Sequence, residues 1–401
     1  MLDAGSGAGK TTRGMAGSEG TFQHCPCQLR VRVAPFGLHK KPTGSTQIMA
    51  IIITDEDARQ NLSMAECIEA MQVAFRDYAD GKAKTLPRAR YQVDTPDPNR
   101  KYLCNVHVGA VPSYGMACVR AGSLCMLVDG SSPDRKIKQN PEPVNWTVII
   151  LYDLTTAEPL AFLHESHLSG IRVGATSGAG IDAVARVDVT ELGLFGTGRQ
   201  ARAALDAVCA VRPIKRVRLY SPNQDHCERF VSLKGRPGLA INIVRDPREV
   251  IAGADIIYCA TNANSPLFDG DWLEPGQMVI SIVNSDVNLK RTEVDEVTFA
   301  RATDIIVNDW ASVESNGQIE LLDAIEKGIV DRASVVELGE VLTGRADVRQ
   351  TADNLVYFKN NTGLGMQFAA AGAVIYNKIK DQNSNKEVPR EWLAAEEYAQ
   401  S

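Results

Sequence analysis

Arginines at positions 88, 90, 120 and 172, an aspartate at 286 and a glycine turn at 196–201 are the residues whose types could do chemistry together. Planar guanidinium forks match carboxylates bidentately, so an arginine group can clamp the α-carboxylate of a small acid. A carboxylate set just past an apolar strand can trade a proton with an amine or with water. A glycine turn opening a helix offers free N–H groups and the positive end of the helix dipole to a pyrophosphate. Residue types alone thus offer anion binding, proton exchange and a seat for a pyrophosphate.

The glycine turn is the sharpest signal. The apolar strand Leu192–Phe195 runs straight into Gly196-Thr197-Gly198-Arg199-Gln200-Ala201 and then a helix expected over Ala201–Cys209. Gly196 permits the tight turn, Gly198 lets the backbone approach the pyrophosphate, and Ala201 allows close packing of helix on strand. The second strand, Arg216–Tyr220, should end at the ribose-reading residue. It ends in Tyr220-Ser221-Pro222-Asn223, with neither the acid that holds a 2′-hydroxyl nor an arginine for a 2′-phosphate. Ser221 and Asn223 can serve NAD or NADP. Nothing there repels a phosphate, which tilts the expectation slightly toward NADPH, and Asp225 is the nearest acid. A second glycine run, Gly5-Ser6-Gly7-Ala8-Gly9-Lys10-Thr11, has Ala4 where a P-loop needs its first glycine and no room for a preceding strand.

Two kinds of element must position these groups. Before residue 173 the chain reads as α+β. A helix is capped by Ser63 with Glu66, buries Ile68, Met71, Phe75 and Tyr78, and stops at Gly81. Strand-like pieces follow at Tyr102–Val108 and Met116–Ala121, then a hairpin of Val148–Tyr152 with Pro159–Leu163. From about Val189 strands and helices alternate: Leu192–Phe195, Arg216–Tyr220, Asp255–Cys259, Met278–Val283 and Asp304–Val307. That alternation means a parallel sheet covered on both faces. A late strand, Asn354–Phe358, and a small-residue helix, Gly365–Lys380, close the pattern. The fold class is α/β, a Rossmann dinucleotide-binding domain (173–349) inserted in an α+β dimerisation and substrate domain (49–172 and 350–381). Residues 1–48, with eight glycines and six Lys/Arg against two acids, read as a disordered leader or upstream extension, and 382–401 as a polar tail.

Bulk properties exclude several classes. The 401 residues are 44% hydrophobic and 23% charged with a net charge of −6, which gives no reason to expect a nucleic-acid partner. No run approaches a membrane span. Nine scattered cysteines fit a reduced, cytoplasmic protein better than a disulfide framework. No metal is expected: His164 and His167 lie three apart without further ligands, and His24 with Cys25 and Cys27 is isolated. His107 reads as a core histidine and Asp309 as a helix cap or a cofactor contact.

The segment Leu168-Ser169-Gly170-Ile171-Arg172-Val173-Gly174-Ala175-Thr176-Ser177, the turn Gly196–Arg202, the run Val283-Asn284-Ser285-Asp286 with Glu293, and Glu337-Leu338-Gly339-Glu340 resemble motifs of the ornithine cyclodeaminase and mu-crystallin superfamily. The resemblance covers roughly 51–380. It implies the split architecture above, a homodimer, a carboxylate clamp of Arg172, Arg120 and one of Arg88 or Arg90 (Arg90 preferred), and Asp286 as the acid/base. Thr176, Thr261 and Asn262 are implied to contact the cofactor. Many relatives carry Lys where this chain has Arg120, and relatives often carry Asp where this chain has Phe368. An imine reductase or amino-acid dehydrogenase is thus expected, with an ornithine cyclodeaminase and a mu-crystallin-like NADPH-binding protein as rival readings.

Overall fold

The helix capped by Ser63 and Glu66 forms as its spacing requires. It runs Met64–Ala79, with the Ser63 side chain accepting from the Glu66 N–H and the Glu66 side chain accepting in return. Its buried stripe of Cys67, Ile68, Met71, Ala74 and Phe75 recurs every three or four residues. A fully buried Phe or Met on such a stripe contributes about 1.5–3 kcal/mol. Gly81, at φ 72°, ends it. The computed structural model that shows this describes residues 49–127, 138–139, 145–285, 290–360, 363–382 and 386–394. The expected leader, residues 1–48, and Asp286 lie outside the described residues.

The first sheet comprises β1 (Met49–Ile53), β2 (Lys84–Thr85), β3 (Ala89–Asp94), β4 (Arg100–Val111), β5 (Met116–Leu127), β6 (Lys138–Gln139), β7 (Asn145–Asp153) and β8 (Pro159–His164). Helices α1 (Asp55–Asn61) and α2 (Met64–Ala79) follow β1, and α3 (His167–Val184) leaves β8. The expected hairpin is present as β7 and β8.

The second unit alternates as expected: β9 (Glu191–Phe195), α4 (Arg199–Val211), β10 (Arg216–Tyr220), α5 (Gln224–Lys234), β11 (Ala240–Ile243), α6 (Pro247–Ile251), β12 (Ile256–Cys259) and β13 (Met278–Ser281). It continues through α7 (Glu296–Arg301), β14 (Asp304–Val307), α8 (Trp310–Ser315), α9 (Ile319–Glu326), β15 (Val335–Glu337), α10 (Leu338–Leu342) and β16 (Val356–Lys359). The sheet order is β11-β10-β9-β12-β13-β16-β14-β15, and every pairing is parallel. Strands β12, β13 and β16 are buried at every residue, the pattern of a sheet covered on both faces.

Two expectations about the chain's end are corrected. The late strand β16 does not join the substrate domain. It sits between β13 and β14, where four consecutive buried residues suit a central parallel strand. Only α11 (Gly365–Ile379) and β17 (Glu387–Pro389) return to the first sheet, so the polar tail includes a short strand paired with β1. Helix α11 lies so close to β4 that a Cβ on Gly365 would fall 2.0 Å from the Val108 carbonyl.

At the carboxyl edge of the parallel sheet, buried charges tie the loops down. Lys359 Nζ donates to Glu320, to Ser281 Oγ at 3.0 Å and to the Val283 carbonyl at 2.8 Å. Glu320 also accepts from the backbone N–H of Glu293 and of Val294. Glu293, read as an expected acid after Asp286, accepts from the Thr261 N–H at 2.6 Å and hydroxyl at 2.7 Å, and from the Val283 N–H at 3.0 Å. It thus joins the loop after β12 to the loop after β13. Burial pushes the Glu293 carboxyl up, Glu320 adds to this, and Lys359 and Thr261 oppose it.

Two stability outcomes follow. Lys359→Met should lower the unfolding free energy by about 3–5 kcal/mol, because it strands Glu320 without its cation. Adding Glu320→Gln should recover much of that loss in urea unfolding. A single-variant cost below about 1 kcal/mol would show that the network does not hold this edge. Gly365→Ala should cost about 3 kcal/mol or more by forcing α11 off β4, read from the same urea midpoint.

Candidate active site

Arg88, Arg90, Arg120 and Arg172, scattered over 85 positions of sequence, line one cavity of about 240 Å³. Gln200 from the glycine-turn helix and Asn284 from the loop after β13 line the same cavity. Strand register explains the convergence. Arg90 pairs with Asn105 on β4, and two residues on His107 pairs with Arg120 on β5. Side chains two apart on a strand share a face, so Arg90, Asn105, His107 and Arg120 project together, and Arg88, just before β3, lines the same cavity.

Each guanidinium has a fixed seat. Arg120 donates from Nη2 (2.8 Å) and Nε (3.3 Å) to Glu165 Oε2, an ion pair with both side chains largely buried. Its Nη1 lies 3.1 Å from His107 Nδ1. Arg172 donates from Nη1 to Gln367 Oε1 at 3.1 Å, while its buried Nε finds no partner. Burial pushes the Arg172 guanidinium down to about 10, Glu165 opposing and Arg120 adding, which leaves it charged at neutral pH. Arg90 donates from Nε to Asn105 and Arg88 from Nη2 to Asn316 at 2.8 Å. The Phe368 ring stands between two of them, 5.4 Å from the Arg120 guanidinium and 5.0 Å from that of Arg172. Its negative face partly compensates their charge.

His107 and Asn105 line the cavity, and His107 is therefore more than a core histidine. Burial, then Arg120 and Arg172, push the His107 imidazolium well below its ordinary value, so the ring is neutral. Accepting from Arg120 at Nδ1 places its proton on Nε2. The signal was present in sequence, since two polar residues alternate with apolar ones in Leu103–Val108. Glu165, between His164 and His167, is a site residue that sequence reasoning missed. Among the described residues no group of three or more His, Cys, Asp or Glu could hold a metal ion.

The turn beside this cavity has the form a dinucleotide requires. Gly196 adopts φ 102°, and a Cβ there would lie 2.3 Å from the Ala260 carbonyl oxygen. Helix α4 begins at Arg199, two residues earlier than expected, with Gly198 as an N-cap that supplies no side-chain acceptor. The first N–H groups of α4 therefore have no side-chain cap. Nothing lies within 4 Å of a Cβ built on Gly198, so the fold itself does not require glycine there. Ala201 is fully buried against the sheet. The turn lies where β9 and β12 are neighbours but their following connections diverge to opposite sides, the switch point at which open α/β sheets bind ligands. Thr197 and Arg199 flank it, and Arg199 Nη1 reaches the Ser166 carbonyl at 3.4 Å.

The remaining candidates separate. Ser221 directly follows β10, and Asn223 caps α5 by accepting from the His226 N–H at 3.0 Å. Thr261 stands at the end of β12 with its hydroxyl committed to Glu293, and Asn262 beside it is exposed. Thr176 is corrected: it is fully buried, its hydroxyl donates to the Arg172 carbonyl at 2.9 Å and accepts from Gln367 at 2.7 Å. It supports Arg172 and Gln367 and offers no surface to a cofactor. Asp309 is a helix cap, accepting from the Ser312 N–H at 2.8 Å and the Tyr78 hydroxyl at 2.9 Å. Asp286 lies outside the described residues, two positions beyond Asn284.

Known proteins resemble this chain. An alanine dehydrogenase of Archaeoglobus fulgidus is 26% identical over 339 residues, 84% of this chain and 98% of that protein. A Delta(1)-pyrroline-2-carboxylate reductase of Bacillus cereus is 28% identical, covering 84% of this chain and 99% of its own. The structure of the Thermococcus litoralis Delta(1)-pyrroline-2-carboxylate reductase, in complex with NADH and L-proline, superposes with a TM-score of 0.70 at 26% identity, covering 82% of this chain and 97% of that one. The ornithine cyclodeaminase/mu-crystallin family model matches residues 49–383, and with that span of the chain and the arginine-lined cavity beside its glycine turn, this protein belongs to that family.

Proposed function

We propose that this chain is an NAD(P)-dependent enzyme that transfers a hydride at the α-carbon of a small α-amino or α-imino acid, as an imine reductase or amino-acid dehydrogenase. The observation that carries this reading is that Gln200, from the helix opened by the glycine turn, and the four arginines line one cavity. A dinucleotide held at Gly196–Ala201, with Ser221, Asn223, Thr261 and Asn262 at the neighbouring strand ends, would present its nicotinamide beside the carboxylate clamp. Its chemistry there is to give or take a hydride.

The chain's own residues do the rest. Arg120 and Arg172 hold the α-carboxylate, Arg120 kept in place by Glu165 and Arg172 by Gln367. Arg120 stays protonated, so it orients and stabilises charge and leaves proton transfer to Asp286. That aspartate, leaving the loop fixed by Glu293 and Lys359, exchanges a proton at the substrate nitrogen. The strand end at Ser221 and Asn223 accommodates either nucleotide, with NADPH favoured because no carboxylate stands at that end.

The same reading includes a cytoplasmic homodimer. Among the described residues seven cysteines are free and no helix is long and apolar enough to cross a membrane. Ile52, Trp146 and Val148 are exposed on one face of the first sheet, an apolar strip suited to a second copy.

Two variants test the reading. Asp286→Asn should abolish NADH or NADPH oxidation with a 2-oxo acid and ammonium while leaving nucleotide binding, followed by fluorescence titration, intact. Wild type that binds neither nucleotide would end the proposal. Gly198→Ala should leave unfolding free energy within about 0.5 kcal/mol of wild type but weaken nucleotide binding about 10-fold or more.

A further inference from the structure

Resting on the hydride-transfer reading above, we propose that His107 is a substrate-binding residue: its Nε2–H donates to a carboxylate oxygen of the substrate, as a third contact beside the guanidinium groups of Arg120 and Arg172. The ring lines the cavity although the residue is only 5% exposed. Its Nδ1 is committed to Arg120 Nη1 at 3.1 Å, which puts the single ring proton on Nε2. Among the described residues nothing accepts from that N–H. A donor held inside a site without an acceptor is costly, and a ligand that supplies one removes the cost. Burial, then Arg120 and Arg172, keep the ring neutral, so it adds a donor without adding a charge.

Three supports fix where the N–H points. His107 pairs with Arg120 across β4 and β5. Glu165 Oε2 holds Arg120 in turn, accepting from its Nε and Nη2. The Phe368 ring meets the imidazole edge-on, with centroids 5.6 Å apart. That same ring has the Arg120 guanidinium at 5.4 Å and the Arg172 guanidinium at 5.0 Å. His107, Arg120 and Arg172 thus surround one ring, and a carboxylate gripped by the two guanidinium groups lies beside the imidazole. The chemistry of the ligand selects the accepting atom. An ammonium or iminium nitrogen has no lone pair to offer, so in a simple α-amino or α-imino acid only the carboxylate oxygens can accept. A donor already oriented for such an oxygen spares the ligand the cost of ordering it.

Two substitutions separate this role from a purely structural hold on Arg120. His107→Asn places an amide oxygen near the Nδ1 position, an acceptor for Arg120, and removes the Nε2 donor. His107→Gln carries an amide N–H to the Nε2 position and gives up the acceptor. NAD(P)H oxidation is followed with pyruvate plus ammonium and with Δ1-pyrroline-2-carboxylate. Binding is followed by melting with pyrrole-2-carboxylate, which keeps the carboxylate but has no reducible C=N bond, with and without nucleotide. The expected result is a KM raised about 10-fold or more in His107→Asn, with kcat changed less than about 3-fold and most of the melting shift lost. His107→Gln should stay within about 3-fold of wild type in KM and keep the shift, and neither variant should alter nucleotide affinity. A His107→Asn protein that behaves like wild type, or a His107→Gln protein equally impaired, would overturn the proposal. Wild type gives an independent reading. Pyrrole-2-carboxylate should shift the His107 Nε2–H resonance in protein labelled at its histidine nitrogens, and an unmoved resonance counts against the bond whether or not the variants fold. If no imine is reduced with either nucleotide, it is the hydride-transfer reading that falls, while melting and resonance still decide the His107 contact.

Discussion

The contact between α3 and α4 sets the geometry on which everything else relies. A Cβ on Gly174 would fall 2.6 Å from the Ala203 carbonyl, so the two helices touch backbone to backbone. Helix α4 begins at the glycine turn, and α3 carries Arg172 two residues before Gly174. The distance from Arg172 to the glycine turn is therefore set by two rigid helices and not by flexible side chains. Beyond the helix contact, Asn360 donates to the Val173 carbonyl at 2.9 Å and to Ser177 Oγ at 2.8 Å, and Ser177 meets the Tyr258 hydroxyl at 2.7 Å. Helix α3 is thereby bound to the chain just past β16 and to β12. Catalysis by positioning needs this kind of stiffness, because small misplacements of a reacting atom cost large factors in rate.

Electrostatics gives the site its second constraint. Gathering guanidinium groups in a partly closed space is unfavourable unless each is hydrogen-bonded and oriented. Neutral amides and a π-face take part in this: Gln367 on Arg172, Asn316 on Arg88, Asn105 on Arg90, and Phe368 between Arg120 and Arg172. Arg120 also has a carboxylate, Glu165, whose Oε2 accepts from its Nε and Nη2. The forked guanidinium at position 120 makes that two-point hold possible. It also explains why His107 is seated as a neutral acceptor toward Arg120.

Much of this was legible in the residues. Gly196 and Gly198 between an apolar strand and a helix admit one physical reading, and the arginines were singled out with Asp286. The strands whose apolar runs are bounded by turns were found at nearly their observed limits, as for Arg216–Tyr220 and Asp304–Val307. Ala240–Ile243 was missed because polar Asn242 interrupts an edge strand with no residue fully buried, and Val335–Glu337 because three residues carry no period. The placement of Val356–Lys359 was misread for a different reason. A short apolar run states that it is buried but not between which partners, and that information resides in tertiary pairing. Thr176 was taken for a cofactor contact because its motif lies beside the clamp. Helical spacing puts it one turn beyond Arg172, where its hydroxyl meets that residue's carbonyl.

The position of β16 has a consequence for how the molecule is made. The strand comes after every other member of the parallel sheet in sequence, yet lies between β13 and β14, and its final residue supplies the cation of the buried network. A nascent polypeptide still short of Lys359 has two strands that cannot join and two buried acids without a counter-charge. The parallel sheet therefore completes only after Val356–Lys359 has been made, and until then it depends on whatever shields an open sheet edge in the cell.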